Sequence, residues 1–444
     1  MIISESEAKQ ITAKVLALSK ADSCVVSVSG HEHGDLRFAL NSPTTSGFQD
    51  DLSLSITSNF GRRSGSVSIN QIDDGSIAAA VKKSEEIARL APENPEFVPP
   101  LGKQTYVKGG GFYASTAGAD PGKLASLCRP VLKEAMAREV TSAGYLRAGA
   151  EFSAMATSNG LFVYDKETGV DFTVTARTPN GTGSGWAGKY YHDLKRLDTA
   201  LLGATAVKKC LQSKQPVALD PGKYTVILES SAVCDLVGWM VFGMDARQAD
   251  EGRNFLTKKG GGNKLGEKLL GDQVTIFSDP NHDLAPGKIY SDDGLPARKR
   301  VWVENGAVKD LHYSRYWAEK SSREPVPSPT NLVMLGGRTS IEEMIRDTKK
   351  GILVTRLWYI RTVDPRTLLL TGLTRDGTFL IENGKISKAV KNFRFNESPL
   401  AMLSNIVAMG PSERARGSEI EEASVSVPPL LAKDFTFSSL SDAV

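Results

Sequence analysis

The feature that most narrows the folds open to this chain is a set of four Asp-Gly and Asn-Gly pairs in its carboxy-terminal half: Asp293-Gly294, Asn305-Gly306, Asp376-Gly377 and Asn383-Gly384. Both residues of such a pair tolerate positive φ, which a type I′ hairpin requires, so each pair predicts a chain folded back on itself. Strand-like runs accompany them at residues 224–228, 274–277, 300–303, 353–360 and 379–381. A largely antiparallel β, barrel-like domain is therefore predicted over residues 220–444, with helices embedded at 231–248 and 340–349.

Ahead of residue 220 the pattern differs. Residues 4–20 open with Ser4 and Glu7 in capping-box spacing and carry Ala8, Ile11, Val15 and Leu18 at helical intervals. Four short alternating segments follow, at 24–29, 35–40, 52–57 and 66–70, and Asp74 then opens a second helix over 77–90. The proline-rich stretch 91–100 cannot continue that helix and reads as a linker. Beyond it the same order recurs: a helix at 124–140, strands around 145–156, 161–164 and 170–176, and a closing helix at 201–211. The fold class expected is α+β, with two amino-terminal helix-meander-helix units, 1–95 and 110–215, ahead of the β domain at 220–444.

A chain of 444 residues suits two or three cores of ordinary size. The 54 basic and 51 acidic residues leave a net charge of +3, too small a field to drive sequence-independent binding to nucleic acid. No run approaches the roughly 18–20 apolar residues a membrane span needs, and the opening Met1-Ile2-Ile3-Ser4-Glu5-Ser6-Glu7 has neither a cationic nor an apolar export region. Neither nucleic acid nor a membrane is expected as a partner, and a cytoplasmic location is expected. Cys24, Cys128, Cys210 and Cys234 form no CxxC pair and read as small buried residues.

Chemistry-bearing motifs are few. A metallohydrolase needs imidazoles and carboxylates at fixed spacing, yet the chain has five histidines, of which His192, His282 and His312 stand alone. The cluster His31-Glu32-His33, between Gly30 and Gly34, reads as a solvated hairpin turn. Residues 183–189 (Gly-Ser-Gly-Trp-Ala-Gly-Lys) match seven places of a phosphate-binding loop, but Tyr190 stands where a hydroxyl must reach magnesium, so a flexible connection is the better reading. Residues 259–268 read as a surface loop, and no Gly-x-Ser-x-Gly elbow is present.

Several separated landmarks give the carboxy-terminal half a resemblance to the TldD/TldE (PmbA) peptidase family, also described as modulators of DNA gyrase. They are Glu251-Gly252-Arg253-Asn254-Phe255-Leu256, Lys264-Leu265-Gly266-Glu267-Lys268, Val274-Thr275-Ile276 leading to Asp279-Pro280, and Ser291-Asp292-Asp293-Gly294-Leu295-Pro296. Val303-Glu304-Asn305-Gly306, Gly351-Ile352, Thr371-Gly372 and a final run from Phe379 to Ile386 complete the series. In that family the catalytic, TldD-type members resemble one another in a helical His-Glu-x-x-x-His segment just before the Glu-Gly landmark and a further cysteine ligand near the carboxy terminus. Counted back from Glu251-Gly252, the histidine places fall on Gly243 and Gln248 and the glutamate place on Met244, while the last cysteine is Cys234.

The resemblance therefore implies a TldE-like subunit with no catalytic, metal or cofactor residues of its own. Zinc is expected in a TldD-type partner, the two forming a peptide-cleaving heterodimer; a homodimer is the other arrangement left open. Arg356, Trp358 and Tyr359 are the candidate peptide or partner contacts, because Arg, Trp and Tyr are enriched at binding surfaces; an ordinary strand is the competing reading. The rival functions are a self-sufficient metal-dependent hydrolase using His31, His33 and carboxylates, a nucleotide binder using Lys189, and a non-enzymatic peptide-binding or scaffold protein.

Overall fold

The computed structural model describes residues 1–420 and 423–441. Its amino-terminal half is built twice on one plan. Helix α1 (Glu5–Leu18) is held by a complete capping box between Ser4 and Glu7, and leads into strands β1 (Ser23–Ala39), β2 (Ser42–Phe60) and β3 (Arg63–Ile69) and helix α2 (Asp74–Leu90). The cap of α2 is Asp73, one residue ahead of the expected Asp74. After a long connection and the short α3 (Ala114–Ala117), the plan repeats as α4 (Pro121–Ala137), β4 (Thr141–Thr157), β5 (Phe162–Arg177), β6 (Ser184–Tyr191) and α5 (Thr199–Gln212).

The two repeats share one antiparallel sheet in the order β3-β2-β1-β4-β5-β6, so its central pair, β1 with β4, joins residues from both. Alternation decides which face is covered. Even-numbered residues of β1, namely Cys24, Val26, Val28, Leu36 and Phe38, are buried against the helices, the first three beside α1 and α2 and the last two beside α4 and α5. All four long helices thus lie on one side. The odd-numbered residues face the other way.

The carboxy-terminal half has two sheets. Strand β7 (Gly222–Leu228) pairs with Lys350–Asp364 and Leu430–Leu440, and Phe393–Glu397 and Leu369–Glu382 complete the circuit back to Lys350–Asp364, giving a closed five-stranded barrel. Closure removes the exposed edges that an open sheet would leave. A second, six-stranded sheet contains Ile276–Ser278, Arg300–Glu304, Leu332–Met334 and Val425–Val427. Helix α6 (Ser230–Phe242) is apolar nearly all round, and it is buried between barrel and sheet, touching both. Among the described residues no helix is long and apolar enough to cross a membrane.

The four turn pairs divide. Asn305-Gly306 and Asn383-Gly384 have both residues at positive φ and close tight hairpins, as their chemistry predicts. Asp376-Gly377 lies inside the long strand Leu369–Glu382, where its positive φ values make a bulge and the Asp376 carboxylate is buried beside Arg356. Asp293-Gly294 closes a loop turn flanked by a single bridge, Tyr290 with Pro296.

Three further readings are corrected. His31-Glu32-His33 is no turn: it continues β1, which runs unbroken through the segments expected as two strands. Residues 183–189 are mostly strand β6, and their glycines serve packing, since a Cβ on Gly185 would sit 2.2 Å from the Ala206 carbonyl oxygen of α5. The expected helix over 231–248 breaks at Gly243 and restarts as α7 (Ala246–Asp250), capped by Asp245.

The connection at residues 91–113 straps the two halves together. Glu96 pairs with Arg247 of α7 through two hydrogen bonds of 2.7 and 2.8 Å, Arg315 donates to the Pro99 carbonyl, and the Tyr106 hydroxyl donates to the Gly294 carbonyl. Buried Asp171 of β5 takes a two-pronged pairing from Arg416 at 2.6 and 3.0 Å.

Candidate functional site

The uncovered face of the amino-terminal sheet meets the carboxy-terminal domain, and register alone assembles a row of ionisable groups there. Directly paired positions run Asp51 of β2, His31 of β1, Glu151 of β4 and Glu167 of β5. His192, just past β6, extends the row: its Nε2 lies 3.4 Å from a Glu167 oxygen. Lys288 enters from the carboxy-terminal domain, with its ammonium 3.2 Å from Glu151 and 3.5 Å from Glu167. Cavities open on both sides of this lysine, about 400 Å³ towards Asp51 and about 440 Å³ towards His192.

Each group answers to its surroundings. Desolvation, then hydrogen bonding to and repulsion from Glu167, holds the Glu151 carboxyl above its usual range. Burial works against the Lys288 ammonium, but Glu151 and Glu167 together outweigh it and keep it protonated. Burial and the charge of Arg414 push His192 down to about 3, so the ring is neutral. Among the described residues its Nδ1 has no hydrogen-bond partner, and neither does the Thr330 hydroxyl in the same cavity wall. Asp165, two residues from Glu167, is pushed by burial up to about 6 although it accepts the Ile289 amide at 3.0 Å. His31 and His33 stack at 4.7 Å, and the His33 ring, lowered by burial and by Arg147, meets that arginine at 3.2 Å.

The candidate contacts on the strand Lys350–Asp364 separate by role. Arg356 is engaged with Asp376, its Nε at 2.9 Å, and its guanidinium stacks 4.9 Å from the Trp186 ring centre of β6, which ties barrel to sheet. Trp358 and Tyr359 are 37% and 52% exposed, enough to meet another molecule. The Arg375 guanidinium lies 3.9 Å over Trp358, and Arg361 lies 4.3 Å over Tyr359. Tyr359 has a φ of 56° at an irregular step of the strand. Lys189 donates to the Arg414 carbonyl at 2.7 Å and pairs with Glu413 at 3.0 Å, so it holds the two halves together and does not face a phosphate loop.

The row itself escaped the sequence reading. Glu151, Glu167 and Lys288 belong to no motif, and His192 stands alone. The available signal was Asp165-Lys166-Glu167, three consecutive charges between two strand-like runs.

A doubled α-β-α sheet unit set against a barrel-containing domain is a fold shared with solved proteins. One is a modulator of DNA gyrase from Bacteroides thetaiotaomicron, with a TM-score of 0.85 at 21% identity over 99% of this chain and 100% of that one. A second is TldE from Thermococcus kodakarensis, with a TM-score of 0.84 at 18% identity over 97% and 99%. These likenesses establish the fold. In sequence, residues 119–214 match the PmbA/TldA metallopeptidase central domain and residues 221–439 match its C-terminal domain. The chain belongs to the PmbA/TldD metallopeptidase family. Curated relatives include a metalloprotease of Methanothermobacter thermautotrophicus, 25% identical over 62% of this chain and 63% of its own length. Another is a metalloprotease TldD homologue of Buchnera aphidicola, 28% identical over 48% of this chain and 43% of that protein.

Family membership raises the question of a metal, and the residues at the matching positions do not fit one. Gly243 ends α6, Met244 is 2% exposed within the main hydrophobic core, and Gln248 lies beyond the break in α7. Cys234 is fully buried in α6, where desolvation raises its thiol far above the ordinary range. Among the described residues no group of three or more His, Cys, Asp or Glu is placed to hold a metal ion.

Proposed function

We propose that this chain is the TldE-like subunit of a cytoplasmic TldD/TldE-type zinc peptidase complex acting on small or unfolded peptides, with the metal held by a TldD-type partner. The observation that carries this reading is the interrupted helix before Glu251-Gly252. A ligand pair needs one unbroken helical turn sequence facing open space, and here the segment is a helix end, a core methionine and a restart. What remains is a frame that shapes a peptide path, with Trp358 and Tyr359 as the surface offered to peptide or partner.

The test is to purify the chain alone and with a TldD-type partner, then measure zinc per chain and cleavage of an unstructured peptide. Cleavage and one zinc per complex are expected for the pair, with neither for the single chain. Stoichiometric zinc and peptide cleavage by the isolated chain would refute the reading and favour a self-sufficient hydrolase. The residues to change next would then be His31 and His33, which share the sheet face with Asp51 and Glu151.

A further inference from the structure

The cleft on the uncovered sheet face is acidic, partly open and already holds an ammonium. Glu151, Glu167 and Asp292 line the cavities around Lys288, so carboxylates outnumber the cation. Lys288 and Glu151 are each about half exposed, at 50% and 49% of their side chains, which leaves this ion pair within reach of an incoming group. A half-exposed pair of this kind exchanges more readily than a fully buried one. Beyond it the walls are unsatisfied. His192 is 3% exposed and its Nδ1 lacks a partner among the described residues; with the proton on Nε2 towards Glu167, Nδ1 is an unused acceptor. A buried polar atom left unpaired is costly, and the ring that carries this one lines the roughly 440 Å³ cavity.

Carboxylates and an imidazole lone pair select the same ligand chemistry, a positively charged group rich in N–H. The cavity is too small for a folded chain and suits the first few residues of an extended one. We infer that the Glu151–Glu167–His192 cleft receives the free α-ammonium end of a peptide, and that the Lys288 ammonium fills this place until the peptide displaces it. The inference rests on the peptide-binding reading above and adds to it a position and a polarity. Lys288 divides the two cavities, so its withdrawal also joins them into one groove running from the open edge of β2 across β1, β4 and β5.

The test uses the full chain and a tetra-alanine peptide labelled at its carboxy terminus, with a free or an acetylated amino terminus, read by fluorescence anisotropy. Acetylation is expected to weaken binding at least tenfold, and the preference should fade above about pH 8 as the α-amino group loses its proton. Glu151→Gln and Glu167→Gln should each weaken the free-amine peptide about fivefold or more and leave the acetylated one unchanged. Lys288→Met should tighten the free-amine peptide about tenfold. Equal binding of the two peptides in wild type and in Lys288→Met would overturn the ammonium site while leaving peptide binding intact. Absence of binding by either peptide, with or without competing spermidine, would overturn both, and spermidine binding alone would reassign the cleft to free amines.

Discussion

At the scale of single residues, the cleft depends on carboxylates whose ionisation is shifted by burial. Asp165 titrates near pH 6 in the folded chain against 3.8 for the free side chain. Between those values the folded state binds more proton than the unfolded one, so stability contributed by this residue is full below about pH 4 and is lost as pH rises towards 6. Asp165→Asn should flatten that slope by on the order of 1–3 kcal/mol in urea denaturation followed from pH 4 to 7. A slope identical to wild type would remove Asp165 as its source. None of this was legible from composition, because desolvation is a property of the packed site. The fate of Met244 was: a methionine at a position where the family resemblance places a base already excludes that role, and the core simply absorbs the side chain.

At the scale of elements, glycine decides how closely helix and strand approach. A Cβ on Gly65 of β3 would lie 2.3 Å from both the Ala88 nitrogen and the Ser84 oxygen of α2. Gly65→Ala is expected to cost about 2–3 kcal/mol through forced separation of the two elements, read as a drop in the urea midpoint. Gly61→Ala, which meets nothing within 4 Å and carries only the strain of a φ of 55°, is the comparison and should cost about 1 kcal/mol. The helices, the doubled order and the barrel were legible because alternation and capping are local. The continuity of β1 through Gly30-His31-Glu32-His33-Gly34 was not. Two flanking glycines resemble a turn in sequence, whereas Gly30 is required because a Cβ there would sit 2.7 Å from Phe152 and from the Met1 carbonyl. Asp376-Gly377 misled for a related reason, since a bulge and a hairpin ask for the same dihedral angles.

At the scale of the whole molecule, the two halves are joined by a shared apolar cluster, Met155, Leu161 and Val163 with Ile289 and Tyr290, and by a buried ion pair. Asp171 and Arg416 are 7% and 9% exposed, so removing either partner strands a buried charge. Arg416→Met should cost about 3–5 kcal/mol, and the double change with Asp171→Leu should recover most of it. Both are measured by chemical denaturation, and a double variant as unstable as the single one would show that the pair does more than cancel its own charges. Such long-range pairings, like the row from Asp51 to His192, join residues far apart in the chain and become visible only once register is known.

The sharing of β1 and β4 across the repeats has a practical consequence for anyone trimming the gene. The recognisable family segments begin at residue 119, but a product starting there would lose β1 and bare a seam of the 14 residues of β4, Gly144 to Thr157, that pair with it. Such a seam templates aggregation, so the smallest workable expression unit is set by the sheet and not by the boundaries of the matched segments.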